Sequence, residues 1–274
     1  MNYVTLNNGL KMPQLGFGVW QVKDDQATAA VATALEVGYR SIDTAMIYKN
    51  EVGVGKALKE SSIPSEDLFI TTKVWNSDQG YENTLRAFDE SLEKLGLDYI
   101  DLYLIHWPTP QFDQYVDTYK ALEKLYHEGR VKAIGVCNFE IEHLERLLNE
   151  CEVVPVLNQV ECHPYLAQTE LKEFCAKHNI FVEAWSPLDQ GGEVLQDEVV
   201  QKIAESHGKT PAQTVLRWHL QNNTIVIPKS VTPARIKENF EVFDFELTPD
   251  EMNAINEINR NRRKGPQPNE MHVR

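Results

Sequence analysis

The sequence predicts an α/β fold, a (β/α)8 TIM barrel, formed as a single domain over residues 1–274 with an N-terminal β-hairpin at the barrel bottom. Three observations predict it. Eight short apolar runs are spread along a 274-residue chain, segments of helical period lie between them, and no composition break divides the chain. The runs are residues 15–20, 39–43, 68–75, 99–107, 131–139, 154–161, 180–188 and 223–230. They are rich in Val, Ile and Leu and often apolar on successive residues, which suits strands buried on both faces of a parallel sheet. A doubly wound open sheet is the alternative for the same alternation.

The elements follow in order. In "YVTLNNGLKMPQLG", Asn8-Gly9 stands between two short alternating stretches, a strong hairpin signal. In "YENTLRAFDESLEKLGL", Leu85, Phe88, Leu92 and Leu95 recur three or four apart, one face of an amphipathic helix. "EIEHLERLLNE" and "TPAQTVLRWHLQN" repeat that period. After the last apolar run, Thr232 stands as an N-cap and Pro233 at the first helical position.

Composition narrows the function. A hydrophobic content of 42% and a charged content of 25% are those of a soluble globular protein. The net charge of -14 opposes nucleic-acid and anionic-membrane partners, which need clustered Lys and Arg. Without a signal-peptide pattern at its start, the chain is expected to be cytoplasmic, with its four cysteines reduced in the core. Their spacing suits no metal, so none is expected.

Most of the apolar runs end in a residue that a buried strand would not choose: Asp43, Lys73, His106, Asn138, Gln159, Ser186 and Lys229. In a barrel, the C-terminal strand ends share one rim, where active sites are built. Each residue alone has an ordinary reading. Asp43 and Lys73 suit a structural ion pair, His106 a core histidine, and Tyr48 a tyrosine with a buried ring and a wet hydroxyl. Four titratable groups at neighbouring strand ends, however, form the kind of cluster that shifts pKa values.

A phenol with a reference pKa of roughly 10 is a poor acid at neutral pH unless a cation stabilises its phenolate. Lys73 supplies the cation, Asp43 keeps it charged, and His106 orients a carbonyl oxygen toward the Tyr48 hydroxyl. No Ser or Cys nucleophile stands beside a histidine base, so a hydride from a nicotinamide is the natural partner of this proton. "GVGKAL" at 53–58 lacks the third glycine of a dinucleotide fingerprint. A helix N-terminus flanked by Lys229, Arg235 and Lys237 provides an anion site instead.

These residues resemble the aldo-keto reductases, in order and over nearly the whole chain. The resemblance rests on "GYRSIDTAMIYKNEVGVG", "FITTKVW", "LYLIHWP", "GVCNF", "LNQVECHPY", "AWSPL" and "IPKSVTPARIKEN". It is nearest to the short bacterial branch with the diketogluconate and glyoxal reductases. It implies NADPH-dependent reduction of aldehydes and ketones by a catalytic tetrad of Asp43, Tyr48, Lys73 and His106, with Tyr48 as proton donor. It also implies that Asn138 and Gln159 hold the carboxamide, Trp185 stacks on the nicotinamide, and Ser186 and Leu188 follow the pyrophosphate. Lys229, Ser230 and Arg235 meet the 2′-phosphate, Glu238 and Asn239 the adenine, while Trp20, Trp75 and Trp107 wall the substrate pocket.

Two features depart from the family pattern. Cys137 stands where a serine usually precedes the carboxamide asparagine, and a thiol is the weaker hydrogen-bonding group. The tail "NRNRRKGPQPNEMHVR" is polar and lacks a terminal aromatic residue, which implies an open pocket. The chain is expected to act as a monomer. Two alternatives accompany this reading: a lyase forming a Schiff base on Lys73, and a non-catalytic NADPH-binding regulator.

Overall fold

Eight parallel strands lie side by side in the order in which the chain makes them. The computed structural model describes residues 1–274. A separate antiparallel hairpin comes first, β1 (Tyr3–Thr5) and β2 (Lys11–Pro13). Gly9 takes a positive φ of 86° at its turn, a conformation open to glycine at little cost. Val4, Leu6 and Met12 of the hairpin are buried against Leu102, Leu104, Leu157 and Ile225, so it plugs one end of the sheet as expected.

The parallel sheet is β3 (Phe17–Gly18), β4 (Ser41–Asp43), β5 (Phe69–Val74), β6 (Ile100–Ile105), β7 (Val131–Cys137), β8 (Leu157–Glu161), β9 (Phe181–Trp185) and β10 (Ile225–Val226). Helices separate the strands: α1 (Asp24–Val37), α2 (Glu51–Glu60), α3 (Tyr81–Leu95), α4 (Tyr115–His127), α5 (Ile141–Glu150), α6 (Thr169–Lys177), α7 (Glu198–Ser206) and α8 (Pro211–Gln221). Then α9 (Pro233–Phe240) and α10 (Pro249–Glu257) follow β10. Along α3, Phe88 and Leu95 are buried, and Leu85 and Leu92 pack against the same core.

The outer strands are shorter than their apolar runs. Their neighbouring residues still bond to one another: Gly16 N donates to Val226 O (2.8 Å), Val226 N to Gln14 O (3.0 Å) and Gly18 N to Pro228 O (3.1 Å). Gly18 permits this approach, since a Cβ there would lie 2.9 Å from the Ile227 carbonyl oxygen. Parallel pairing throughout places every strand's C-terminal end on one side, opposite the hairpin. A concavity of about 740 Å3 opens at the hairpin end, lined by residues such as Thr5, Asn7, Phe181 and Thr224, away from those C-terminal ends. No helix is long and apolar enough to cross a membrane.

Candidate active site

Asp43 ends β4, and Lys73 is the fifth residue of the adjacent strand β5. Their side chains are buried, and Lys73 Nζ donates to Asp43 Oδ1 (2.6 Å) and to the Thr44 carbonyl oxygen (2.9 Å). Tyr48 closes a single 3-10 turn (Met46–Tyr48) directly after β4. That turn is fixed from behind. The buried Asn50 accepts from Thr44 Oγ1 (2.7 Å) and donates to the carbonyl oxygens of Val19 and Val22, both at 2.9 Å. Lys73 Nζ stands 5.2 Å from the centre of the Tyr48 ring, and the His106 ring meets Tyr48 edge-on at 5.6 Å. The four side chains singled out at the ends of three successive apolar runs of the sequence therefore converge.

Burial and charge set their protonation. Burial alone would lower the Lys73 ammonium, but the Asp43 carboxylate and other neighbours outweigh it and hold the pKa above its ordinary value. Loss of water raises the Tyr48 phenol, while Lys73 opposes that rise. Burial, helped by Lys73, holds His106 well below the usual histidine range, so its imidazole is neutral. Its Nδ1 has no protein partner. Burial also pushes the Cys137 thiol well up, leaving it protonated beside the cluster.

Around this core, Asn138 takes a left-handed φ of 61° after β7; its amide donates to the His106 carbonyl oxygen (2.9 Å) and its oxygen accepts from Trp185 Nε1 (2.8 Å). Gln159 gives both hydrogens of its amide to carboxyl oxygens, Asp43 Oδ2 (2.8 Å) and Glu183 Oε2 (2.7 Å). Glu183 is absent from the residues expected from sequence. Its signal was a lone carboxylate inside the apolar run "FVEAW". Trp75 packs edge-on against His106 at 5.1 Å, and Trp107 is buried, whereas Trp20 is exposed. Ser186 and Leu188 are half-buried just beyond β9.

The residues after β10 form a second group. Thr232 takes the N-cap position of α9 without capping through its side chain; instead its N–H donates to Ser230 Oγ (3.1 Å). Lys237 pairs with Glu241 (3.7 Å), while Lys229 and Arg235 are exposed and make no ion pair. Asn239 is buried, and the Glu238 carboxylate accepts from Thr210 Oγ1 (2.8 Å).

The polar tail is folded over the rim. The amides of Lys264 and Gly265 donate to the two oxygens of Glu161 (2.7 and 2.8 Å), and Lys264 Nζ and Arg262 reach Asp189 at 3.0 and 3.1 Å. Farther along, Asn76 donates to the Val273 carbonyl oxygen (2.7 Å). Gly265 lies so near Trp185 that a Cβ would stand 2.5 Å from the end of the indole ring. No residue pattern marks this strap, because its grip on Glu161 comes from backbone amides and its ion pairs reach a carboxylate more than seventy residues earlier.

Residues 13–260 match the Aldo/keto reductase family. The chain belongs to that family. Among aldo/keto reductases it is 55% identical over 270 residues to the 9,11-endoperoxide prostaglandin H2 reductase of Trypanosoma cruzi, covering 97% of this chain and 95% of that one. It is 54% identical over 269 residues to the glyoxal reductase of Bacillus subtilis, covering 98% and 96%. The crystal structure of Gox0644 in its apoform superposes with a TM-score of 0.96 at 52% identity, over 99% of each chain. A variant of Gox0644 crystallised in complex with NADPH gives a TM-score of 0.96 at 51% identity, over 99% of each chain.

Proposed function

We propose that this aldo/keto reductase reduces aldehydes and ketones to alcohols with NADPH, using Tyr48 as the proton donor. The observation that carries the reading is the buried Lys73–Asp43 ion pair beneath Tyr48, with a neutral His106 at the edge of the phenol. Bound nicotinamide supplies the hydride. Lys73 offsets the charge that develops on the Tyr48 oxygen as its proton leaves, and Asp43 holds that cation in place. Neutral His106 donates a hydrogen bond to the carbonyl oxygen and turns it toward Tyr48. Trp75 and Trp107 exclude water from the same side, with Trp20 as the outer wall.

The cofactor residues fit the group. Lys229 and Arg235 are cations without internal partners, on a chain whose net charge of -14 otherwise repels a phosphate. With Ser230 they bind the 2′-phosphate at the start of α9, and Glu238 and Asn239 line the adenine. Asn138 and Gln159 would hold the carboxamide, Trp185 the nicotinamide ring, and Ser186 and Leu188 the pyrophosphate. The NADPH complex of the Gox0644 variant supports this choice of cofactor, and the glyoxal reductase of Bacillus subtilis supports small dicarbonyl substrates. A Schiff base on Lys73 is disfavoured by its charge, since a buried ammonium bonded to a carboxylate is no nucleophile.

The same reading takes the chain as one domain, a closed (β/α)8 barrel acting as a monomer. Closure is supported by the hydrogen bonds that join the residues around β3 and β10. The test is NADPH oxidation followed by absorbance over a panel of aldehydes and ketones, glyoxal and methylglyoxal included. Failure to turn over any of them, with NADPH bound, sinks the reading.

A further inference from the structure

We propose that Glu183 is a positioning residue for proton donation: it grips the Gln159 amide that steadies Asp43, and its own charge state governs how easily Tyr48 releases a proton. The inference rests on the reductase reading above and adds a fifth member to the tetrad's support.

Glu183 is the third residue of β9, 1% exposed, and in register with Gln159 of β8 and Ile225 of β10. The Gln159 amide nitrogen bridges Glu183 and Asp43, so a continuous chain runs from Glu183 through Gln159 and Asp43 to Lys73. The other oxygen, Oε1, is buried with no partner. The charges of Asp43 and Lys73 already balance. A second carboxylate would leave one negative charge uncompensated among apolar walls, where such charges are costly. Burial first and Asp43 second push the Glu183 carboxyl up to about 8, against the opposing pull of Gln159 and Lys73.

The ionisable groups that act on Glu183 are Asp43 from β4 and Lys73 from β5, while Cys137 of β7 feels its charge in turn. β10 offers only Ile225 in register, and β8 only the neutral Gln159. While Glu183 is protonated, Lys73 answers to Asp43 alone and its remaining field falls on Tyr48. When the Glu183 O–H bond breaks and its proton passes to solvent, a second anion draws on Lys73. The Tyr48 phenolate is then less well stabilised, and proton donation slows.

The test uses the full chain as wild type, Glu183→Gln and Glu183→Leu. Infrared difference spectra of the protein without substrate should show the carbonyl stretch of a protonated carboxyl at neutral pH. That band should fade as pH rises through about 8 and be missing in Glu183→Gln. Turnover of methylglyoxal at saturating NADPH should fall roughly 3- to 30-fold across the same titration in wild type, the size expected of one nearby charge. Glu183→Gln should remove that step and keep KM for NADPH within about twofold. Glu183→Leu should be slower than Glu183→Gln at every pH, because it cannot grip Gln159. Identical pH profiles in wild type and Glu183→Gln, or equal turnover in the Gln and Leu variants, overturn the proposal. If no chain turns over any carbonyl, the reductase reading fails. This proposal then falls with it, whereas turnover without the infrared band overturns this proposal alone.

Discussion

Lys73 Nζ and Asp43 Oδ1 stand 2.6 Å apart on neighbouring strands, with Lys73 wholly shielded from solvent. Removing one member of such a pair leaves a buried charge uncompensated, which costs about 3–5 kcal/mol. Lys73→Met should therefore lower stability by about that amount and abolish most turnover. Asp43→Asn should be milder in turnover, because Lys73 keeps its bond to the Thr44 carbonyl oxygen. Urea unfolding with steady-state kinetics checks both; wild-type stability and turnover in Lys73→Met would refute the pair's role.

Tyr48→Phe removes one hydroxyl from a turn held by Thr44 and Asn50, so the fold and NADPH affinity should persist. Turnover should drop by roughly 10²- to 10⁴-fold, the range of general acid catalysis. Activity within a few-fold of wild type would rule out Tyr48 as the donor.

Arg235 is exposed at the start of α9 with no internal ion pair to lose. Arg235→Ala should weaken NADPH by about ten- to a hundredfold, the worth of one charge-assisted hydrogen bond, and leave NADH nearly unchanged. Quenching of tryptophan fluorescence by each cofactor measures the ratio. Equal losses would assign Arg235 to the shared adenosine instead of the phosphate.

Stability should carry the mark of Glu183. Its carboxyl titrates near 8 in the native chain and near 4.5 in an ordinary setting, so between those values the folded state holds a proton that the unfolded chain has released. Stability from this group is full below the lower value and is lost as pH rises toward 8, by an amount on the order of a few kcal/mol. Denaturant midpoints across pH should show that decline in wild type and lack it in Glu183→Gln.

Gly265→Ala sets a Cβ 2.5 Å from the Trp185 ring and 3.1 Å from Glu161 Oε2, so the ring or the strap must shift. Overpacking of this kind costs about 1–3 kcal/mol. The strap should lift, and KM for NADPH should rise several-fold with a change in tryptophan emission. An unchanged KM would detach the strap from the cofactor.

Strand order, the hairpin at Asn8-Gly9 and the convergence of Asp43, Tyr48, Lys73 and His106 were legible because each left a local mark. Apolar runs announce buried strands, and a charged residue at the end of one announces a rim. What sequence hid was pairing across distance. Gln159 reads as a cofactor ligand on its own, and only the fold brings Asp43 and Glu183 to the same amide, 116 and 24 residues away. The strap was illegible for a different reason. Lys264 and Gly265 hold Glu161 through main-chain N–H groups that any residue but proline provides. Likewise the outer runs at 15–20 and 223–230 become two-residue strands, because their flanks bond singly to each other.

The strap follows every strand and helix α1–α10 in chain order, yet it touches residues as early as Asn76. Synthesis runs from the N-terminus, so the eight strands emerge while Glu161 still lacks its two amides and Trp185 has one uncovered edge. A nascent chain therefore owns its sheet before it owns a finished rim, which is completed only as residues 260–273 leave the ribosome. Proteolysis in that same short segment would run the sequence backward, uncovering Glu161 and Trp185 while sparing the scaffold beneath them.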